Sequence, residues 1–447
     1  MKKYLISLKA FLFLFIVSCQ NDDGPPVYLQ GSNEYTNQWI YQQMKRYYYW
    51  NGAMPGQGDL SIEPKEYFSS LLQQGDTFSY ALHPSLADTY PKSVRTSFGF
   101  DMAFVEYQGQ VYGTVLYVLS DSPAHYSILE RGMYITAING TPLNRGNYEG
   151  LYRDLSASGQ AQLQVAEYNG QGFSAPVQVI IAKGVTLLQP LLKRIIIQGN
   201  DKIGYIAIPH FDIGLSQSLL EAFLEFKSQS VNKVVVDLRY NGGGDVSSAT
   251  ALSIILAPDI QADDHFITFE GNSNGGIIKQ SFEEALEMNE NQVGFEALRA
   301  AHPTVGKVYI LCGGRTASAS ELVINNLKPF MDVVTIGEPT LGKDVAGFPI
   351  EDDRVQGEQG WILYPSIYKL FNAHHQGDYD QGIQPFIALN ELQQPEIFPL
   401  GDPQEILLAQ VLNTIVSNGR MSGPSALRLL PQVKSDFGLG PILPGQP

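Results

Sequence analysis

The stretch KIGYIAIPHFDIGLSQSLLEAFLEFKSQSVNKVVVDLRY (202–240) decides the fold. It opens on a strand-like run, KIGYIAI (202–208), and closes on KVVVDLRY (233–240), which is almost continuously apolar, as a buried strand is. Between them, LSQSLLEAFLEFKSQ (215–229) places its apolar residues at helical spacing. Strand, helix and strand in this order predict an α/β domain with a buried sheet.

The same alternation continues towards the C-terminus. KVYILCG (307–313) and VVTIGEP (333–339) read as further buried strands, separated by a helix over 317–330. Cys312 falls inside the first of these strands, so we expect a buried thiol. The α/β domain is therefore predicted to span residues 190–415, followed by an irregular tail over 416–447 that is rich in Pro and Gly.

Upstream of this core the sequence changes character twice. Residues 30–92 are aromatic and helical in pattern, with a second helix predicted to begin at Pro64. The aromatic stripe is interpreted as core without chemistry, although the region could also cap a cleft. Residues 97–185 alternate short strands with glycine turns. The fold class predicted is multidomain α+β: a helical N-terminal region, a β-rich domain and an α/β core.

The composition is that of a globular protein with an acidic surface. The 447 residues include 29 Lys+Arg and 45 Asp+Glu, which gives a formal net charge of −16. A charge of this sign repels phosphates, so we expect no nucleic-acid partner.

The first residues resemble an export signal. Lys2 and Lys3 precede a short apolar run that is too short to span a bilayer, which indicates a secretory signal over 1–18. The sequence Ile-Val-Ser-Cys ending at Cys19 resembles a bacterial lipobox, in which the cysteine is lipidated. The resemblance implies a polar tether over 19–29 and a lipoprotein of the cell envelope, held at the outer membrane on its periplasmic or outer side.

Several cofactor motifs can be excluded. GEPTLGKD (337–344) matches a phosphate loop except that Asp344 stands where Ser or Thr should bind magnesium. The chain has no H-E-x-x-H, C-x-x-C or EF-hand pattern, and its seven histidines are scattered. We therefore expect no metal and no cofactor.

Three segments remain that could carry acyl-transfer chemistry. In TASASE (316–321), Ser318 with Glu321 fits a helix capping box, but a serine at a helix start also lies beside free N–H donors. In GKD (342–344), Lys343 has apolar surroundings, and a buried lysine with a lowered pKa can act as a base. In DLRYNGGGD (237–245), the glycines allow backbone N–H groups to approach a substrate carbonyl.

The β-rich region contains two pieces that resemble a PDZ domain. One is SFGF, formed by Ser97, Phe98, Gly99 and Phe100, at the place of the loop that binds a peptide carboxylate. The other is SPAHYSILERGMYITAINGTPL (122–143), which resembles the helix, turn and strand pattern of bacterial PDZ domains. The resemblance implies docking of polypeptides with flexible C-termini.

In this order and spacing, the motifs resemble those of the C-terminal processing (tail-specific) peptidases. The resemblance implies a crotonase-like core and a serine endopeptidase that cleaves polypeptides at or near their C-termini through an acyl-enzyme. Ser318 would be the nucleophile and Lys343 the general base. The backbone N–H of Ala319 and one of the glycines, Gly243 or Gly244, would form the oxyanion hole. The oligomeric state stays open.

Two features leave alternatives open. Many members of the family carry a glutamine that orients the lysine, where this chain has Gly347. The scaffold could therefore be a weak or inactive, peptide-binding lipoprotein instead. His210 and Asp237 offer a Ser-His-Asp alternative to the Ser-Lys dyad, although Asp237 is better explained as an anchor of the strand end.

Overall fold

The structure is a computed structural model that describes residues 27–86, 96–185, 191–289, 292–354, 360–417 and 427–432. Cys19, the signal predicted over 1–18 and most of the tail lie outside the described residues. Among the described residues, no helix is both long enough and apolar enough to cross a bilayer.

The N-terminal region is helical, as its aromatic pattern predicts. It contains helix α1 (Asn33–Tyr47), helix α2 (Pro64–Ser70) and strand β1 (Tyr80–Leu82). The Ser32 hydroxyl accepts from the Tyr35 N–H and caps α1, and Pro64 occupies the first turn of α2, where its missing N–H costs no hydrogen bond. The buried side chains of α1 include Trp39 and Met44.

The middle region contains a β-sheet, a separate pair of short strands (β2 and β9) and one helix. Its elements are β2 (Thr96–Ser97), β3 (Phe100–Tyr107), β4 (Gln110–Val118), β5 (Tyr134–Ile138), β6 (Thr141–Pro142), α3 (Tyr148–Ala157), β7 (Gln160–Ala166), β8 (Val177–Ala182) and β9 (Gly184–Val185). The predicted alternation of short strands and turns is observed. The prediction of a helix within 122–143 is wrong, since the first residues of this stretch form turns. The Ser122 and Ser127 hydroxyls accept hydrogen bonds from the N–H groups of His125 and Leu129, and such side-chain bonds favour turns over a helix.

The core contains the predicted strands and helices. Its elements are β10 (Leu192–Gln198), β11 (Asp201–Ala207), α4 (Ser216–Ser228), β12 (Lys233–Asp237), α5 (Val246–Leu256), β13 (His265–Glu270), β14 (Ile277–Ser281), α6 (Phe282–Leu286), α7 (Phe295–Ala300), β15 (Lys307–Cys312), α8 (Ala319–Leu327), β16 (Asp332–Gly337), β17 (Val345–Ala346), β18 (Ile350–Glu351), β19 (Ile362–Tyr364), β20 (Tyr368–Asn372), β21 (Ile387–Ala388) and α9 (Ile406–Ser417). The main sheet has the order β10-β11-β12-β15-β16-β21, parallel from β11 onwards.

Helices cover both faces of this sheet. Val234 and Val236 pack with α4, α5 and α8, whereas Val235 between them packs with α9 on the other face. Because side chains alternate along a strand, a run of valines buried on both faces requires a layer on each side. Cys312 is 1% exposed, which confirms the buried thiol.

Two smaller pairings join the regions. Strand β1 of the N-terminal region adds to the core hairpin in the order β1-β19-β18, beside a sheet of order β14-β13-β20-β17. A last strand, β22 (Arg428–Leu429), pairs with β3 at the edge of the middle sheet. The N-terminal region therefore lies directly on the part of the core that follows Lys343.

Candidate active site

Ser318 lies between β15 and α8, immediately before the first residue of the helix. Its backbone has φ 56° and ψ −117°, a conformation that costs free energy in a residue with a side chain and that occurs mostly at functional sites. The Thr316 hydroxyl donates to the Leu238 carbonyl (2.8 Å), and the Ala317 N–H donates to the Asn241 carbonyl (3.1 Å). These bonds hold the strained turn against the loop that follows β12.

The Glu321 carboxylate joins the serine turn to the lysine loop. One of its oxygens accepts from the N–H groups of Ser318 and Lys343, both at 2.8 Å. The other accepts from the Thr340 hydroxyl (2.5 Å) and the Gly342 N–H (2.7 Å). Burial raises the pKa of Glu321, and these hydrogen bonds oppose the rise. The helix-cap and active-site interpretations are thus compatible, since one side chain positions both segments.

Lys343 follows β16 and is partly buried. Its Nζ lies 5.7 Å from the centre of the Phe78 ring, which the N-terminal region contributes. Burial lowers the pKa of Lys343, while the charges of Glu321 and Asp76 oppose this effect. A lysine with a lowered pKa holds more of the neutral amine that a general base requires.

Ser318 and Lys343 line the same cavity, which has a volume of about 260 Å³. Aromatic side chains from both the N-terminal region and the core form much of its wall: Phe78, Tyr80, Phe211 and Tyr364. The rings of Tyr80 and Tyr364 stack with their centres 4.7 Å apart. The N-terminal region therefore contributes Phe78 and Tyr80 to the cavity wall, and no sequence motif indicates either residue.

The glycine loop corrects one part of the predicted oxyanion hole. The Gly243 N–H donates to the Asn241 side-chain oxygen at 2.8 Å, so it is not available to a substrate. An asparagine commonly binds the backbone N–H two residues on in this way. Gly244 lines the cavity, and Ala319 is the first residue of α8, where N–H groups lack helical acceptors. Ala319 and Gly244 therefore stay the predicted donors.

The structure does not assemble the His210–Asp237 pair. His210 lines the cavity, but the Asp237 oxygens accept from the Tyr205 hydroxyl (2.6 Å) and from Arg239 (2.8 and 3.0 Å). The carboxylate near His210 is instead that of Asp212, 3.5 Å away. His210 is thus an imidazole that lines the same cavity as Ser318, and Asp237 anchors the strand end.

The SFGF segment runs from β2, which pairs with β9 apart from the main sheet of this region, into β3 of that sheet, and Phe98, Gly99 and Phe100 do not line the cavity. Phe98 and Phe100 are buried in the sheet's core. The carbonyls of Phe98 and Gly99 accept from Ala124 and Leu119, at 2.9 and 2.7 Å. Ser97 pairs with β9 through the backbone. Cys19 lies outside the described residues, and no group of three or more potential metal ligands occurs in the part of the chain that the structure describes.

Arg239 of the D-L-R motif has a structural role. Its guanidinium is 2% exposed and binds Asp237 and Glu405, the latter through two hydrogen bonds of 2.7 and 2.9 Å. Arg131 of the middle region joins the same cluster through Glu391, at 3.0 Å. Burial alone would raise the pKa of Glu405, but the two arginines hold it at about 2. The cluster ties the middle region to the core.

We expect this cluster to make the fold sensitive to acid. A carboxyl group whose pKa is lowered by folding stabilises the native state above its ordinary pKa, and that contribution is lost as the pH falls. For Glu405 the loss should occur between pH 4.5 and about 2, and should be on the order of 3 kcal/mol. Urea unfolding of the wild type and Glu405→Gln across this range measures it, with the exposed Glu296→Gln as control. If the free energy of unfolding changes with pH in the same way in the wild type and in Glu405→Gln, the stabilising role assigned to the Glu405 carboxylate is contradicted.

Gly347 occupies its position for a steric reason. A Cβ atom there would lie 2.2 Å from the Pro365 carbonyl oxygen, which belongs to the backbone and cannot move aside easily. We expect Gly347→Ala and Gly347→Gln to lower the unfolding free energy by about 1–3 kcal/mol. Gly52→Ala, at a glycine with open space around it, is the control. A Gly347→Gln protein as stable as the wild type and more active would show instead that the family's glutamine can be restored.

Sequence comparisons identify the family. A profile of Peptidase family S41 matches residues 202–389, and a profile of the Peptidase S41 N-terminal domain matches residues 35–80. Together they span just over half of the chain. The chain belongs to peptidase family S41.

Two relatives named as C-terminal processing or tail-specific proteases share limited sequence identity with the chain. The carboxy-terminal processing protease CtpB of Bacillus subtilis is 24% identical over 208 residues, which cover 46% of this chain and 37% of that protein. The tail-specific protease of Haemophilus influenzae is 26% identical over 144 residues, or 32% of this chain and 17% of that protein. The chain thus spans well under half the length of these two relatives.

Solved structures support the same fold. A putative S41 protease from Bacteroides fragilis superposes with a TM-score of 0.69 at 25% identity, covering 89% of this chain and all of the other. The photosystem II D1 C-terminal processing protease shares the fold with a TM-score of 0.51 at 17% identity, covering 85% of this chain and 97% of the other.

Proposed function

We propose that this chain is a serine endopeptidase that uses Ser318 as nucleophile and Lys343 as general base. The observation that carries the proposal is the shared cavity of about 260 Å³, in which both side chains lie while Glu321 binds the backbone N–H of each. The strained turn at Ser318 and the lowered pKa of Lys343 support it.

The reaction begins with acylation of the serine. Neutral Lys343 accepts the hydroxyl proton of Ser318 as Oγ bonds to the scissile carbonyl carbon. The N–H groups of Ala319 and Gly244 stabilise the carbonyl oxygen as it becomes negative. When the C–N bond breaks, the Lys343 ammonium returns the proton to the leaving amine, and the acyl-enzyme remains.

Hydrolysis then restores the enzyme. Water enters the cavity and attacks the ester carbonyl while Lys343 accepts one of the water protons. The ester C–O bond breaks, the proton passes to Oγ of Ser318, and the new carboxyl end of the polypeptide leaves. No cofactor is required at any step.

The substrate is proposed to be a flexible polypeptide, cleaved at or near its C-terminus. The aromatic wall of Phe78, Tyr80, Phe211 and Tyr364 favours an apolar side chain beside the scissile bond, because burial of apolar surface stabilises the complex. The β-rich middle region, which resembles a PDZ domain around Phe98 and Gly99, is proposed to dock the polypeptide before cleavage.

We further propose that the protein is anchored by a lipid on Cys19 at the outer membrane of the cell envelope. The support is the lipobox-like sequence and the polar tether that follows it. Incorporation of a radiolabelled fatty acid, compared between the wild type and Cys19→Ala, tests this proposal independently of peptidase activity.

The peptidase proposal is tested by digestion of an unstructured polypeptide. Casein is incubated with protein that begins at residue 27, and the fragments are identified by mass spectrometry across neutral pH. New termini that follow apolar residues support the proposal. The absence of any fragment, while the protein still binds C-terminal peptides, would favour the alternative of an inactive peptide-binding lipoprotein, to which Gly347 points.

A further inference from the structure

A groove in the middle region lies between strand β3 and helix α3. Three aromatic side chains form its floor: the ring of Phe104 lies 4.9 Å from that of Tyr148 and 5.8 Å from that of Tyr152, measured between centres. The backbone of β3 on this side is the edge of the sheet made by β3, β4, β5, β7 and β8. An open strand edge beside an apolar floor is suited to bind an extended peptide.

The chain's own segment 427–432 occupies this groove. It runs antiparallel to β3, with Arg428 opposite Glu106 and Leu429 opposite Val105. The Leu430 N–H donates to the Phe104 carbonyl at 3.1 Å. The main-chain contacts are those of a peptide added as an extra strand.

Side chains complete the docking of the segment. The Gln432 amide accepts from the Phe104 N–H and donates to its carbonyl, both at 3.0 Å, in the manner of a strand backbone. The Tyr148 hydroxyl of α3 donates to the Pro431 carbonyl at 3.1 Å. Because proline has no N–H to donate, the glutamine amide continues the pairing where the backbone cannot.

Neighbouring leucines of the segment face opposite directions. Leu430 is 7% exposed and packs into the apolar core of the middle sheet, whereas Leu429 is 38% exposed. This burial pattern, with Leu427 and Leu430 buried and Arg428 and Leu429 exposed between them, anchors the segment at two points. Leu430 and Leu429 are therefore a matched pair of positions for substitution: Leu430 anchors the segment, and Leu429 does not.

We propose that segment 427–432 is a resident ligand of the β3/α3 groove, through which the middle region would dock a substrate, so that an incoming leucine-containing polypeptide must displace the chain's own segment. The proposal rests on the proposed function, because it names the surface on which the peptidase would first hold its substrate. A tethered segment competes at an effective concentration of about millimolar, so a free peptide at micromolar concentration is largely excluded from the wild-type groove.

The test measures peptide binding in a chain that cannot turn over. A fluorescent peptide with the sequence LRLLPQ, that of residues 427–432, is titrated into full-length Ser318→Ala protein and followed by anisotropy. Adding Leu430→Asp, which places a carboxylate against the apolar floor, should expel the segment and tighten peptide binding by at least about tenfold. Leu429→Asp should leave binding at the Ser318→Ala level, and the peptide carrying the Leu430→Asp change should not bind.

A second variant guards against misfolding. Gln432→Ala removes the two side-chain bonds to Phe104 without placing a charge in the core, and should also tighten peptide binding. If neither Leu430→Asp nor Gln432→Ala gains affinity over Leu429→Asp, the segment is an integral strand and the proposal is overturned. Since every protein in the series carries Ser318→Ala, peptide binding combined with no casein cleavage by the wild type would refute the peptidase and leave the docking site standing.

Discussion

Ser318→Ala is expected to reduce casein cleavage by roughly 10⁴–10⁶-fold while leaving the fold intact. The change removes the only atom that forms a bond to the substrate in the proposed reaction. The hydrogen bonds of the Ser318 N–H, the Thr316 hydroxyl and the Ala317 N–H persist in the variant, which loses only the capping contact between the Ser318 hydroxyl and the Glu321 N–H. Thermal unfolding should therefore be close to that of the wild type.

The matched control is the second serine of the same motif. The Ser320 hydroxyl donates to the Asn241 carbonyl at 3.0 Å and is buried. Ser320→Ala should cost about 1 kcal/mol of stability and less than about tenfold in rate, because it loses one hydrogen bond and no reacting atom. Should Ser320→Ala abolish cleavage while Ser318→Ala retains it, the nucleophile has been assigned to the wrong residue.

Lys343→Ala is expected to lower kcat/KM by roughly 10²–10⁴-fold, the usual contribution of a general base. In the wild type, kcat/KM should rise with pH as Lys343 loses its proton, and the midpoint should lie below 10.5, the ordinary pKa of a lysine, because burial lowers it. Lys343→Arg keeps the positive charge but cannot accept a proton near neutral pH, so it should be as inactive as Lys343→Ala.

His210 is the alternative general base, and its substitution is the control for the Lys343 prediction. It lines the same cavity, and histidine is the side chain that most often serves as a general base in enzymes. If Lys343 is the base, His210→Ala should keep the rising limb of the pH profile and most of the activity. A His210→Ala protein without activity, together with an active Lys343→Ala protein, would assign the base to His210.

The sequence predicts the core well because its strands are buried on both faces. Continuous apolar runs such as that of β12 stand out from any surface segment. Helix α5 could not be predicted, because ten of its eleven residues, Ser247–Leu256, are buried. A helix without an exposed polar face shows no periodic alternation of apolar and polar residues in its sequence. In the middle region, α3 was missed and a helix was expected where serine side chains form turns.

The site was predictable to the extent that its chemistry is local. The helix start at Ser318 and the apolar neighbours of Lys343 can be read directly, and the structure places both in one cavity. Phe78 could not be predicted, since contacts between segments far apart in sequence, such as the pairing of β1 with β19, bring the N-terminal region to the lysine. The choice between Gly243 and Gly244 depends on a single side-chain bond from Asn241, which no spacing rule specifies.

The central claim is that Ser318 is a nucleophile activated by Lys343, and covalent labelling tests it most directly. A fluorophosphonate probe is incubated with the wild type, Ser318→Ala and Lys343→Ala, and the modified residue is located by mass spectrometry. We predict a single adduct on Ser318 in the wild type, none in Ser318→Ala and strongly slowed labelling in Lys343→Ala. Folded wild-type protein that acquires no adduct, or acquires one at another serine, would contradict the claim.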